Sequence, residues 1–373
     1  MNLGLREMRR AWGRFVLLAA SVGLLAFLIL FQQAIQDGLI TAFVGAIRNQ
    51  NAPVIVYSLE GQRILQASLL TPDQVKSIAS IEGVEKTARV QQSTYSVELD
   101  GSDVNDAAVI GSSSQGVFMP DKLSAGRYPR SRFEAVGSAS DFRVGDKVVV
   151  TASPKGSAST LTVVGLAREV QLNVTATLFT DIETSEAVAH AYNPSTPGGF
   201  TNAVAIRPSK GTSADLLVDR INSSFPDVEA LTRDAAADRS PGVAQVRQSF
   251  QIIFLLYALV VPLVTGLFFL ILTLQKADSL TLLRAMGARA STLARSLLAQ
   301  SLVVLAGGLL LAVAMFYPLS RLELGAIALR FDVGVVALWA GILVTLGLLS
   351  TLVSLRRVMR IDPVAASTGK AEI

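Results

Sequence analysis

The chain contains no cysteine among its 373 residues. Disulfides, thiolate metal sites and thiol catalysis are excluded, so any part outside the cytoplasm must fold on packing alone. There is one histidine, His190, in the stretch EAVAHAYNP, with no carboxylate cluster beside it. An HExxH zinc peptidase needs two histidines, and a Ser-His-Asp hydrolase would have to use His190 without a GxSxG turn. His190 therefore reads as a surface or core residue. Gly101 to Asp106, GSDVND, has three polar acceptors without the spacing of a calcium loop and reads as a turn. No GxxxxGK[ST] motif occurs; the fragment STGKAE lacks the first glycine and continues into Ala371. P-loop ATP hydrolysis by this chain is thus excluded, and an integral-membrane enzyme has no catalytic constellation to draw on.

Charge is missing in four places. No Lys, Arg, Asp or Glu occurs from Phe15 to Gln36, Gln248 to Gln275, Ser296 to Ser320 or Val333 to Leu355. Each run covers the roughly 20 residues that a helix needs to cross about 30 Å of hydrocarbon. Apolar residues make up 51% of the chain and charged ones only 17%, which points to a membrane protein rather than a large soluble one. The first run follows Arg6, Arg9, Arg10 and Arg14, as a signal peptide would, but it is long and lacks a small-x-small cleavage site, so it reads as a retained anchor. The spans hold no charged residue for a proton or ion relay, which disfavours an ion-coupled carrier.

The charge that is present is sorted by side. The segments up to Arg14, from Lys276 to Arg295 and from Arg356 to the end together carry +8, whereas Asp37 to Arg247 carries −4 and the loop 321–332 is neutral. Basic loops stay inside, so both termini are expected in the cytoplasm, with the large section outside a bacterial cell membrane. The net charge of +4 then reflects orientation and does not argue for nucleic acid.

The outer section predicts an α+β unit interrupted by a β-rich insert. Strands are expected at Pro53 to Ser58, Ala88 to Leu99 and Ala107 to Ile110, with a capped helix from Thr71. A loop-rich basic stretch with Lys122, Arg127, Arg130 and Arg132 precedes a hairpin of Lys147 to Ala152 and Thr160 to Gly165. The strand AVAIRP, the helix SADLLVDRINSSF and the strand VEALT close the unit. Leu39, Phe43 and Ile47 recur every four residues beyond the first span and predict a helical stalk; a separate helix broken at Asp37 and Gly38 is the alternative. Arg239 to Gln248 is expected to begin a second stalk. Pro262 would kink the second span, as a hinge or as a tolerated residue. Ala19, Gly23, Gly307, Gly308, Gly341 and Thr345 could let the spans pack closely.

Between the second and third spans lies Gln275 to Ser296, QKADSLTLLRAMGARASTLARS, too polar for lipid. As a helix it places Asp278, Thr281 and Arg284 on one face and Leu282, Leu283 and Met286 on the other, as in a helix lying on a membrane surface. A loop that only joins two spans would show much the same pattern. The string LLRAMGA in this topological position resembles the cytoplasmic coupling segment of the FtsX-like permease family, which includes MacB-type transporters, lipoprotein-release permeases and DevC permeases. The family's Glu five residues before the Arg is Ser279 here, with Asp278 beside it.

The resemblance implies a four-helix membrane protein with a MacB-like extracytoplasmic α+β domain between helices 1 and 2. It divides the chain into 1–36, 37–247 and 248–373. It implies an ABC transporter permease that transmits motion from a separate P-loop ATPase to the outer domain and exports or extracts a lipid, peptide or other amphiphile. A non-transporting regulator of an envelope enzyme or signalling partner is the alternative. Asp278, Leu283, Arg284, Ala285, Met286 and Gly287 are then the ATPase-coupling residues: Arg284 for contact, Leu283 and Met286 wedged into a groove, Gly287 for the turn. The implied partners are that ATPase, a second copy of the chain, membrane lipids and a periplasmic or envelope adaptor. ATP and magnesium would belong to the ATPase, with no cofactor, metal or nucleic acid on this chain.

Overall fold

A computed structural model describes residues 12–99, 102–151, 156–195, 199–275, 290–321, 323–324, 327–329 and 331–359. In chain order the elements are α1 (Trp12–Arg48), β1 (Val54–Ser58), α2 (Pro72–Ala79), β2 (Val84–Leu99), β3 (Ser102–Ser112), β4 (Ala125–Gly126), β5 (Glu134–Ser138) and β6 (Lys147–Val150). Next come β7 (Ser159–Ala167), β8 (Ala176–Asp181), α3 (Ile182–Tyr192), β9 (Ala203–Pro208), α4 (Ala214–Ser224), β10 (Val228–Thr232), α5 (Arg233–Asp238) and α6 (Val243–Gln275). The chain continues with α7 (Ala290–Leu319), β11 (Glu323–Leu324), β12 (Ile327–Ala328) and α8 (Val333–Met359). Two compact units result: Asp37–Gln248 with Glu323–Ala328, and the remainder.

The outer unit contains a ten-stranded sheet in the order β10-β1-β9-β2-β3-β8-β5-β7-β4, with β6 pairing both β2 and β7. Its first part is a layered α/β arrangement. Strand β1 is buried on both faces because its residues alternate between two cores. Val54 and Val56 pack with Ile78 of α2 and with Leu217 and Ile221 of α4. Ile55 and Tyr57 face the other way, with Val90, Ala203, Leu231 and the outer end of α1. Helix α2 starts in a reciprocal capping box between Thr71 and Gln74, with Pro72 in its first turn. Ser213 caps α4 by accepting from the amide of Leu216.

The second part is a ring. Strand β6 pairs β2 through Val97↔Val150 and β7 through Val148↔Leu161, so β2-β3-β8-β5-β7-β6 closes on itself. Tyr95, Val97, Val109, Phe142, Val148, Leu161, Val163 and Leu178 share one buried core. The β-rich insert is thus a six-stranded barrel assembled on two strands of the α/β part, and closure leaves these strands no free edge. One expectation needs correction here: GSDVND is mostly strand, since β3 begins at Ser102 and Ser102 pairs with Leu99. The β2–β3 ladder runs to its tip, and ladder hydrogen bonding overrides the turn preference of Asp and Asn.

In the membrane unit, all four apolar runs are helical, in α1, α6, α7 and α8. Gly23 of α1 meets Gly308 of α7 so closely that a Cβ on Gly23 would stand 2.9 Å from the Gly308 carbonyl oxygen. Without a hydrophobic force between helices in lipid, such approach is where van der Waals contact accumulates. Helix α6 runs on through Pro262, whose carbonyl accepts a 2.8 Å hydrogen bond from the Ser350 hydroxyl of α8. Gly266 makes room for that hydroxyl, which a Cβ there would overlap. Gly341 has no neighbour close enough to meet a Cβ.

Leu161 is fully buried in the ring. Leu161→Ala should cost about 2–5 kcal/mol, as cavity-forming core truncations do, and shift the thermal unfolding of the outer domain accordingly.

Candidate functional site at the root of the stalks

The six coupling residues expected from sequence, Asp278, Leu283, Arg284, Ala285, Met286 and Gly287, lie outside the described residues. Helices α6 and α7, which flank them, end and begin at Gln275 and Ala290. What the structure does define is the other end of the predicted machinery, where the stalks enter the outer domain.

Helix α1 runs for 37 residues through Asp37 and Gly38 without a break. At 1.5 Å per residue that is about 55 Å, well beyond the hydrocarbon thickness. The alternative of a separate helix is thereby overturned. Its outer end presents Ile40, Val44 and Ile47 to the core, with Phe43 partly buried against it. Asp37 and Gly38 do not terminate it because this face is packed on both sides of them, and tertiary packing outweighs local propensity.

The segment between β7 and β8 fastens this end through its backbone. The amides of Asn173 and Val174 donate to the carbonyls of Phe43 and Ala42, each at 2.9 Å. The amide of Ala46 donates to the Gln171 carbonyl at 2.9 Å, and the Asn49 side chain donates to the Glu169 carbonyl at 2.6 Å. Leu172 and Val44 pair as an isolated antiparallel bridge. A helix can accept a strand in this way only where its surface is bare, and Gly45 provides that: a Cβ there would overlap the Glu169 carbonyl. The clamp holds three residues in the left-handed region, Glu169 (φ 59°), Asn173 (φ 52°) and Val174 (φ 60°). For a β-branched valine this conformation costs on the order of 1–3 kcal/mol, and it persists because the surrounding hydrogen bonds over-determine it. Asp141 supports the segment by accepting from the Gln171 side chain and the Ser138 hydroxyl.

The second stalk meets the first through the apolar packing of Val243 and Val246 and through one carboxylate. Asp238, at the end of α5, accepts from Arg48 at the end of α1 and from Arg247 in the first turns of α6, both at 2.6 Å. All three side chains are partly exposed, so each pair contributes little to stability, about 0–1 kcal/mol. The pairs set register instead. Arg233 adds a hydrogen bond to the Gln50 carbonyl just past α1. Beside the junction, Arg63 grips Glu229 with its Nε 2.9 Å from Oε2, next to a cavity of about 40 Å³ lined by Phe43, Ile47 and Ser240. Burial, and then the charge of Glu229, push the Tyr57 phenol above its usual range.

Among the described residues no group of His, Asp or Glu side chains is arranged to hold a metal ion, and His190 is exposed on α3. Sequence reasoning found the stalks but missed the clamp and the Asp238 bridge. Backbone hydrogen bonds leave no side-chain signature, and Gly45 is one of four glycines in α1, so nothing singled it out.

Four apolar helices with an α+β domain inserted after the first, together with the LLRAMGA segment, are the features by which the chain resembles ABC transporter permeases of the FtsX-like, MacB type. No protein-family model matches the chain. Over its full length it is similar to the putative hemin transport system permease protein HrtB of Staphylococcus epidermidis, 24% identical over 376 residues and 99% of either chain. The HrtB of Staphylococcus haemolyticus is 20% identical over 380 residues, again 99% of either chain. Among solved structures, the periplasmic region of MacB from Actinobacillus actinomycetemcomitans is 14% identical and covers 50% of this chain and 92% of its own, at a TM-score of 0.36. The extracellular domain of the ABC-type transporter YknZ from Gram-positive bacteria is 13% identical, with 48% and 98% covered, at a TM-score of 0.32.

Gly45→Val should force the clamp off α1 and destabilise the outer domain by about 1–3 kcal/mol. Val174→Asn places at the same position a residue that tolerates the left-handed region, and should raise the melting temperature. Thermal unfolding of the two variants beside wild type reads both effects.

Proposed function

We propose that this chain is the membrane subunit of a bacterial ABC system in which a separate ATPase docks beneath the segment from Lys276 to Arg289. Arg284 makes the principal polar contact, Leu283, Ala285 and Met286 seat in the ATPase groove, Gly287 turns the chain, and Asp278 supplies the acidic partner. Two copies pair through their spans, with lipids around them and an envelope adaptor as a further partner. Both termini lie in the cytoplasm. ATP and magnesium are held by the ATPase, and closure of its subunits moves the coupling segment as a lever.

The observation that carries this reading is the continuity of α1 and α6 from apolar span into the outer domain, together with their fastening there by the 169–174 clamp and Asp238. A continuous helix is stiff, and a backbone clamp transmits displacement without slack. The cargo is an amphiphile handled outside or in the outer leaflet, since the spans offer no charged path. Hemin, named for the full-length relatives, is the first compound to try. That those relatives are named transport permeases supports transport over control of an envelope enzyme.

The test is to purify the tagged chain gently from its own membranes, identify what copurifies, and assay ATP hydrolysis for wild type and Arg284→Glu. Recovery of a P-loop ATPase with wild type, lost or uncoupled in Arg284→Glu, is the expected result. Absence of any ATPase under several detergents, with the variant behaving like wild type, would overturn the assignment.

A further inference from the structure

The outer domain holds a second feature, away from the stalk clamp. Strands β3 and β8 are parallel and end level with each other, Ser112 opposite Asp181. Strand β5, antiparallel to β8, begins at the same end. The carboxyl ends of neighbouring parallel strands open a crevice where departing loops diverge, a common place for ligands. Here the crevice is a cleft of about 350 Å³, at the small end of the range for small-molecule sites.

Its lining carries both charges. Arg130 and Arg132 come from the loop entering β5, while Asp181 and Glu183 come from the start of α3. The arginine loop is held rigidly by Glu134. That carboxylate accepts from both terminal nitrogens of Arg127 at 2.7 and 2.6 Å and from the amides of Arg130 and Ser131 at 2.8 and 3.3 Å. The Arg127 guanidinium first, and then the Arg130 amide, hold the Glu134 carboxyl well below the usual carboxylate range, so it stays charged through any physiological acidification. The amide of Phe133, itself at φ 62°, donates to the Thr184 hydroxyl and ties the loop to α3. Arg127 thus satisfies Glu134, and among the described residues neither Arg130 nor Arg132 has a carboxylate partner. Asp181 spends both oxygens on Thr184, one on its amide and one on its hydroxyl, each at 2.8 Å. Glu183 makes no ion pair among the described residues.

We infer that this cleft binds a compact zwitterion, its carboxylate or phosphate taken by Arg130 and Arg132 and its ammonium by Glu183. Guanidinium pairs suit such oxyanions because their donors match them in a plane. A bare anion meets the repulsion of Asp181 and Glu183, and a bare cation that of the arginines, so the cleft selects for both charges in one small molecule. Two sources share this chemistry, a free dipeptide and a phosphoethanolamine headgroup.

Calorimetry on the full chain in detergent distinguishes them, with alanyl-alanine and O-phosphoethanolamine as probes and acetate, inorganic phosphate and ethylammonium as half-ligands. At least one zwitterion should saturate with a Kd below about 1 mM, with every half-ligand at least about tenfold weaker. Arg130→Gln with Arg132→Gln, and separately Glu183→Gln, should each weaken the zwitterion at least about tenfold with melting curves unchanged. Binding of alanyl-alanine alone assigns a free dipeptide, and binding of the phosphoester alone a phosphoethanolamine headgroup. The inference is overturned if neither zwitterion saturates by about 10 mM, if phosphate binds as tightly as the zwitterions, or if the variants bind like wild type. None of these outcomes depends on whether an ATPase docks to the chain.

Discussion

The outer domain depends on a helix that accepts a strand. Amides at Asn173 and Val174 and the carbonyl of Gln171 bond to α1 between Ala42 and Ala46, where Gly45 bares the helix surface. Side-chain packing alone would let a helix slide or roll by fractions of a turn. Directed backbone bonds on both partners fix rotation and height together. The clamp grows out of β7 and β8, two members of the closed ring, so the ring and α1 are held as a unit while the α/β layer grips the same helix through Ile55, Tyr57 and Val90.

Much of this was legible in the sequence, for reasons that differ by element. The four spans were plain because charge is absent over lengths that match the bilayer. The strand at Val54–Ser58 and the helices after Thr71 and Ser213 carried periodicity and caps, which are local signals. The stalk was legible because the four-residue spacing of Leu39, Phe43 and Ile47 continued past Asp37. The proximity of Gly23 and Gly308 was one of several equal possibilities, since small residues are frequent in any apolar span.

What was not legible is non-local. Closure of the ring rests on β6, four residues long, finding β2 some fifty positions earlier, and nothing in KVVV names its partner. The bridge at Asp238 joins residues 190 and 9 positions away, and each looks like an ordinary surface charge. GSDVND misled because Asp, Asn and Gly favour turns in isolation, yet two long strands imposed a ladder on them. The LLRAMGA segment is the reverse case. It is strong as sequence and lies outside the described residues, so its assignment rests on resemblance.

The arrangement at Asp238 bears on where such a molecule works. Its link between the two stalks is ionic and half open to the outside medium, unlike the clamp, whose bonds are made by uncharged backbone groups. Charges in contact with solvent feel added salt, with a screening length of about 10 Å at 0.1 M. Added salt therefore weakens the Asp238 link between the stalks more than it weakens the backbone grip of the barrel on α1.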